Sequence, residues 1–167
     1  MDEIVNRVSQ SALVTFDLEE HYPQGIRMHI DIKEWLFQHM VLREKEFRGH
    51  LKEHDWSQYQ DAFVSVSCSV EAIVPQWAFV LVASHLQPLA KRVVFGTAEN
   101  LETQLYQEVL DQLDYEYLKD KPVILKGCSN KPVPLNAYIM AMDKIQPLAR
   151  SVMYGEACSA VPLFKRK

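Results

Sequence analysis

The strongest constraint on this chain is an internal repeat. Cys68-Ser69 is followed by Pro75, then Ala78-Phe79, Gln87-Pro88-Leu89-Ala90 and Val93-Val94-Phe95-Gly96. Cys128-Ser129 is followed by Pro134, then Ala137-Tyr138, Gln146-Pro147-Leu148-Ala149 and Val152-Met153-Tyr154-Gly155. One single-residue gap between the Cys-Ser pair and the proline aligns the two stretches. Two copies are too few for a solenoid, so the repeat predicts a duplicated supersecondary unit within one domain.

Each copy opens with an apolar, β-branched run, Phe63-Val64-Ser65-Val66 or Val123-Ile124-Leu125, which predicts a strand. A polar turn follows, and proline then suits the start of a helix. The predicted apolar helix faces are Ala78, Leu81, Val82, His85 and Leu86 in one copy, and Ala137, Met140, Ala141, Lys144 and Ile145 in the other. A second strand runs into glycine. Strand, helix, strand implies parallel pairing. Between the copies, Leu101, Leu105, Val109, Leu113 and Tyr117 recur every four residues and predict a crossover helix from about Asn100 to Leu118. Before them, Ala12–Leu18 and Ile26–Ile32 flank the turn signal Tyr22-Pro23-Gln24-Gly25 and predict a β-hairpin, and Arg43–His54 reads as a charged helix. The expected fold is therefore α/β: a mostly parallel open sheet of two duplicated βαβ units with an N-terminal β-hairpin and helix. The expected domain is single, 1–167, with 1–61 as the N-terminal hairpin and helix and 62–97 and 122–156 as the repeated units.

Composition supports a folded domain: 167 residues, 48% hydrophobic and 24% charged, enough apolar material for a core. The formal net charge of −4 argues against a nucleic-acid coat or a polybasic membrane binder. No apolar run approaches the ~20 residues that span a bilayer, and the acidic start carries no secretory pattern. Three cysteines, an odd number, suggest reduced thiols, so the expected location is cytoplasmic.

Ligands of open parallel sheets bind beyond the carboxyl ends of the strands. On the expected sheet, Cys68, Cys128 and Cys158 all fall at that edge. The repeat adds Glu99, three residues after Gly96 as Cys158 is three after Gly155, with Glu71 as second choice. Three thiolates and one oxygen ligand suit zinc. Iron or an iron–sulfur cluster is the alternative. The sequence thus predicts a metal-binding protein with metal ligands Cys68, Cys128, Cys158 and Glu99. The competing reading is a non-enzymatic small-ligand or protein-interaction module with buried structural cysteines.

A catalytic cysteine–histidine pair is disfavoured, since His54 and His85 map to the opposite edge and His29 reads as a plain strand residue. Cys128-Ser129-Asn130-Lys131 before a helix start offers a site for a small anionic ligand, although helix capping and turn chemistry is the better reading of Ser69, Ser129 and Asn130 taken singly. No glycine-rich nucleotide loop occurs. Asp17, Glu19 and Glu20 form an acidic cluster that reads as a solvated loop.

His54-Asp55-Trp56-Ser57-Gln58-Tyr59, the stretch 126–134 (KGCSNKPVP), and Tyr154-Gly155-Glu156 followed by Cys158-Ser159 and Val161-Pro162-Leu163 resemble a bacterial domain-of-unknown-function family. The resemblance starts at Ile4-Val5-Asn6-Arg7-Val8 and runs along nearly the whole chain. Proline often precedes the last Cys-Ser pair in that family, where this chain has Ala157. The resemblance implies a small bacterial protein and assigns no activity, substrate or oligomeric state.

Overall fold

The computed structural model describes residues 12–127 and 130–167. In chain order the elements are β1 (Val14–Phe16), β2 (Arg27–Asp31), α1 (Glu44–Glu53), β3 (Phe63–Ser67), α2 (Gln76–Leu86), β4 (Arg92–Phe95), α3 (Ala98–Gln112), β5 (Pro122–Leu125), α4 (Leu135–Ile145), β6 (Ser151–Glu156) and β7 (Ser159–Lys165). Four 3₁₀ turns punctuate them, at Leu18–His21, Ile32–Trp35, Trp56–Tyr59 and Glu116–Leu118. The fold is α/β, with open, mostly parallel sheets built from strand–helix units.

The strands form two sheets. One has the order β2-β3-β4, all parallel. The other has the order β1-β5-β6-β7, with β7 antiparallel on β6 and the other pairs parallel. The chain divides accordingly. One compact unit is the continuous segment Gln24–Gln104, and the other joins residues 1–23 to Leu105–Lys167. The expected N-terminal hairpin is corrected: β1 pairs with β5 and β2 with β3, so the strands flanking Tyr22–Gly25 do not pair with each other. Each is too short to stabilise a two-stranded ribbon, and each gains more as the third parallel strand of a βαβ unit.

In the continuous unit, Ile30, Val64 and Val66 from the sheet meet Phe47 and Leu51 of α1 and Ala78, Val82 and Leu86 of α2 in one core. Full burial of a Val or Leu side chain contributes about 1.5–3 kcal/mol. In the divided unit, Phe16, Val123, Leu125 and Val152 meet Tyr106 and Leu110 of α3 and Ala137, Ala141 and Ile145 of α4.

The two cores are counterparts at a constant separation of 59 residues. Phe47 and Tyr106, Leu51 and Leu110, Val64 and Val123, Ala78 and Ala137, and Leu86 and Ile145 all pair this way. The separation extends to single hydrogen bonds. Trp56 Nε1 donates to Leu51 O at 2.8 Å, and Tyr115 Oη donates to Leu110 O at 2.6 Å. Asp61 and Asp120 both have φ +58°, and their amides donate to Leu89 O and Leu148 O, each at 2.9 Å. The duplication thus begins before the first repeated cysteine, and takes in α1 and the second half of α3.

The crossover helix stops at Gln112 rather than Leu118, and Tyr117 is exposed. A strict four-residue spacing drifts off a 3.6-residue helix, so the buried stripe runs through Leu101, Leu105, Tyr106 and Leu110 instead of Val109 and Tyr117. Pro75 and Pro134 sit at the N-cap positions of α2 and α4, with φ −66° and −70°. Their fixed φ delivers the chain to each helix start without removing a helical amide bond.

Candidate functional site

The carboxyl edge of the β2-β3-β4 sheet carries a connected group of polar side chains. Alternation along Phe63-Val64-Ser65-Val66-Ser67 puts Ser65 and Ser67 on one face. His29 of β2 lies directly opposite Ser65 in register, and Asp31 opposite Ser67. His29 Nδ1 lies 2.7 Å from Ser65 Oγ, and its Nε2 lies 3.1 Å from Ser67 Oγ. Ser65 is 1% exposed, so its hydroxyl is a fixed partner. When Nδ1 carries the proton and donates it to Ser65 Oγ, Nε2 is left to accept from Ser67 Oγ. Ser67 is only partly buried and reaches the edge.

Asp31 is the N-cap of the 3₁₀ turn that follows β2. Its Oδ1 accepts from the Lys33 amide at 3.1 Å and the Ser69 amide at 3.1 Å. Burial pushes its carboxyl up, but the hydrogen bonds from the Ser69 side chain and from the Lys33 and Ser69 amides outweigh this and hold it below the usual carboxylate value. This aspartate pins the strand end and the turn after Ser67 to one another.

The divided unit shows what the scaffold needs and what it does not. There Asp17 plays the capping part of Asp31, accepting from the Glu19 amide at 2.9 Å. The position of Ser67 is taken by Lys126, whose Nζ lies 3.0 Å from Asp17 Oδ2. Hydrogen bonding and charge from Asp17 raise the lysine's pKa. Opposite Thr15 stands Ile124, where the other sheet pairs His29 with Ser65. The acidic cluster is therefore structural at two positions: Asp17 caps, and Glu19 Oε1 accepts from the Asn130 amide at 3.2 Å.

The metal expectation is corrected. Among the described residues, no group of three or more His, Cys, Asp or Glu side chains is placed to hold a metal ion, so zinc, iron or an iron–sulfur cluster as cofactor and metal partner is not supported. A shared site needs one sheet with one edge, whereas β3 and β4 belong to one sheet and β5 and β6 to another. Cys68 follows β3, is half-buried, and its Sγ donates to Val70 O at 3.5 Å. Cys158 is exposed in the turn between β6 and β7. Glu99 is exposed in the first turn of α3, and Glu71 is exposed after β3. Cys128, and with it Ser129 of the anion-binding expectation, lies outside the described residues. The competing reading of buried structural cysteines is corrected as well, since Cys68 is only half-buried and Cys158 is exposed.

His54 and His85 sit in an aromatic cluster with Trp35, Trp56 and Tyr59. His54 Nε2 lies 2.9 Å from Tyr59 Oη, and His85 stacks on Trp56 with ring centroids 4.7 Å apart. Sequence reasoning passed over His29 and the two serines. The signal was present: two serines at alternate positions in an otherwise apolar strand share a face, and a histidine in the neighbouring strand can reach both.

Fold and site together describe a small α/β protein with mostly parallel sheets and a serine–histidine pair at one carboxyl edge. By sequence, the chain belongs to DUF2480, a family of proteins of unknown function whose profile matches residues 2–166. No curated protein and no solved structure matches it. Among the described residues, no helix is long and apolar enough to cross a membrane.

Proposed function

We propose that the carboxyl edge of the β2-β3-β4 sheet is a serine-dependent acyl-transfer site, with Ser67 as nucleophile, His29 as general base and Ser65 as the group that orients the imidazole. The observation that carries this reading is the continuous chain Ser67 Oγ–His29 Nε2 at 3.1 Å and His29 Nδ1–Ser65 Oγ at 2.7 Å. Nucleophile, base and orienting group within hydrogen-bond reach are the arrangement that activates a hydroxyl. The twin sheet supports it, because the same scaffold folds with threonine, isoleucine and lysine at these positions. In the reaction, Ser67 Oγ attacks an ester or thioester carbonyl as its proton passes to His29 Nε2. The imidazolium then protonates the departing alcohol or thiol. Water, deprotonated by the same nitrogen, releases the acid and restores Ser67. The unpaired thiols of Cys68 and Cys158 support a reducing, cytoplasmic location.

The test is covalent labelling by a fluorophosphonate probe together with hydrolysis of p-nitrophenyl acetate. Ser67→Ala should abolish labelling, and His29→Gln should slow it by about 10²–10⁴-fold, the usual weight of a general base. Wild-type protein that takes no label, or a Ser67→Ala protein that labels as fast as wild type, overturns the proposal.

A further inference from the structure

The twin units differ at one sheet edge. In the divided unit the outer edge of β6 is covered by β7, antiparallel from Ser151↔Lys165 to Glu156↔Ser159. In the continuous unit the counterpart strand is β4, and among the described residues no strand pairs with its outer edge. The side chains report the same difference. Phe79 and Phe95 meet edge to face at 4.9 Å, as Tyr138 and Tyr154 do at 5.7 Å. Tyr154, opposite Val161 of β7, is 36% exposed, whereas Phe95 is 67% exposed. The first strands, β1 and β2, both end their sheets, so the comparison singles out β4 alone. An open row of backbone donors and acceptors beside an exposed aromatic is a template for another strand.

We infer that β4 pairs antiparallel with β4 of a second copy of this chain, which takes the place that β7 occupies on β6. The strand's own sequence favours this partner. Lys91-Arg92-Val93-Val94-Phe95 is basic at its start and aromatic at its end. Lys91, Val93 and Phe95 alternate onto one face, so antiparallel pairing about a two-fold axis at Val93 sets Lys91 of each strand beside Phe95 of the other, a cation–π arrangement made twice. Lys91 already lies in an aromatic setting of this kind, its Nζ being 5.8 Å from the Phe63 ring centre. Parallel pairing would stack like charge on like charge. A four-residue edge makes a small interface, so the dimer is weak and concentration-dependent.

Sedimentation velocity of the full chain from about 1 µM to 1 mM should show a monomer–dimer equilibrium. Hydrogen exchange should show amides of 92–95 gaining protection as concentration rises. Phe95→Asp and, separately, Lys91→Glu should each raise the dimer dissociation constant at least tenfold with the circular dichroism spectrum unchanged. Using two variants keeps the test decisive if one misfolds. A monomer throughout the range, a dimer with unaltered exchange at 92–95, or folded variants that dimerise as wild type does each overturn the inference.

Discussion

Arg27 and Glu102 show how much one residue's context decides. Arg27 Nε and Nη2 grip both carboxylate oxygens of Glu102 at 2.8 and 3.2 Å, and the glutamate side chain is only 9% exposed. Removing the arginine leaves a carboxylate with little water to replace it, a loss of about 3 kcal/mol for a buried pair broken on one side. Arg27→Ala should therefore lower the urea midpoint strongly, while Arg27→Met with Glu102→Leu should recover most of the loss. His54 carries a pH prediction. Burial lowers its pKa below the ordinary histidine value, against an opposing pull from Asp55. The unfolded chain binds the proton more readily than the folded one, so stability rises with pH in this window. The contribution of neutral His54 is complete above pH about 6.5 and is lost as pH falls from there towards the lowered folded value. His54→Gln, which retains a partner for Tyr59, should flatten the stability profile across that window. An unchanged profile would place the acid-side loss elsewhere.

At the scale of elements, the two glycines that end the repeated strands test how far the twins are alike. Gly96 and Gly155 have φ +128° and +120°, conformations that L side chains rarely adopt. A Cβ at Gly96 would strike the Asn100 side chain, which caps α3 by accepting from the Thr97 amide at 2.8 Å. A Cβ at Gly155 would sit 3.0 Å from the backbone oxygen of Ser159 in β7. A side chain can swing aside at the loss of its cap, but a paired strand cannot. Gly96→Ala should cost about 1–2 kcal/mol and Gly155→Ala about 2–3 kcal/mol, from backbone strain plus the displaced partner; thermal melts followed by circular dichroism rank the two. The same elements mark what could be read from the sequence. Both βαβ units and the buried faces Ala78–Val82–Leu86 and Ala137–Ala141–Ile145 were legible, because helical spacing and β-branched runs are local signals. Strand partnership was not. Tyr22-Pro23-Gln24-Gly25 signals a turn, and nothing in it says whether the flanking strands pair with each other or with β3 and β5. The metal expectation failed for the same reason: four residues placed on one edge by pseudo-symmetry share it only if all the strands share one sheet. The serine–histidine chain was missed because it is a cross-strand contact between residues 36 and 38 positions apart.

Over the whole molecule, the connectivity bears on whether the chain unfolds once or twice, and we propose a single cooperative domain. The boundary between the compact units falls inside α3, after Gln104 of a helix that runs Ala98–Gln112. Cut there, each piece would be about two turns, and helices that short are not stable in water on their own. The loss of either unit's fold therefore frays a helix that both share, with Leu101 in the continuous unit and Leu105, Tyr106 and Leu110 in the divided one. The divided unit has a second dependence. Its β1 pairs with β5 although the whole continuous unit lies between them in sequence, and closing a long unfolded segment carries an entropic cost that a folded one reduces. The tryptophans make this measurable, since Trp35, Trp56 and Trp77 all lie in the continuous unit. Their fluorescence reports that unit alone, whereas far-ultraviolet circular dichroism reports helices in both. In a urea titration the two signals should trace one transition with a common midpoint. If the tryptophan signal is complete while part of the helical signal persists, or the reverse, the units unfold separately and the shared helix does not couple them.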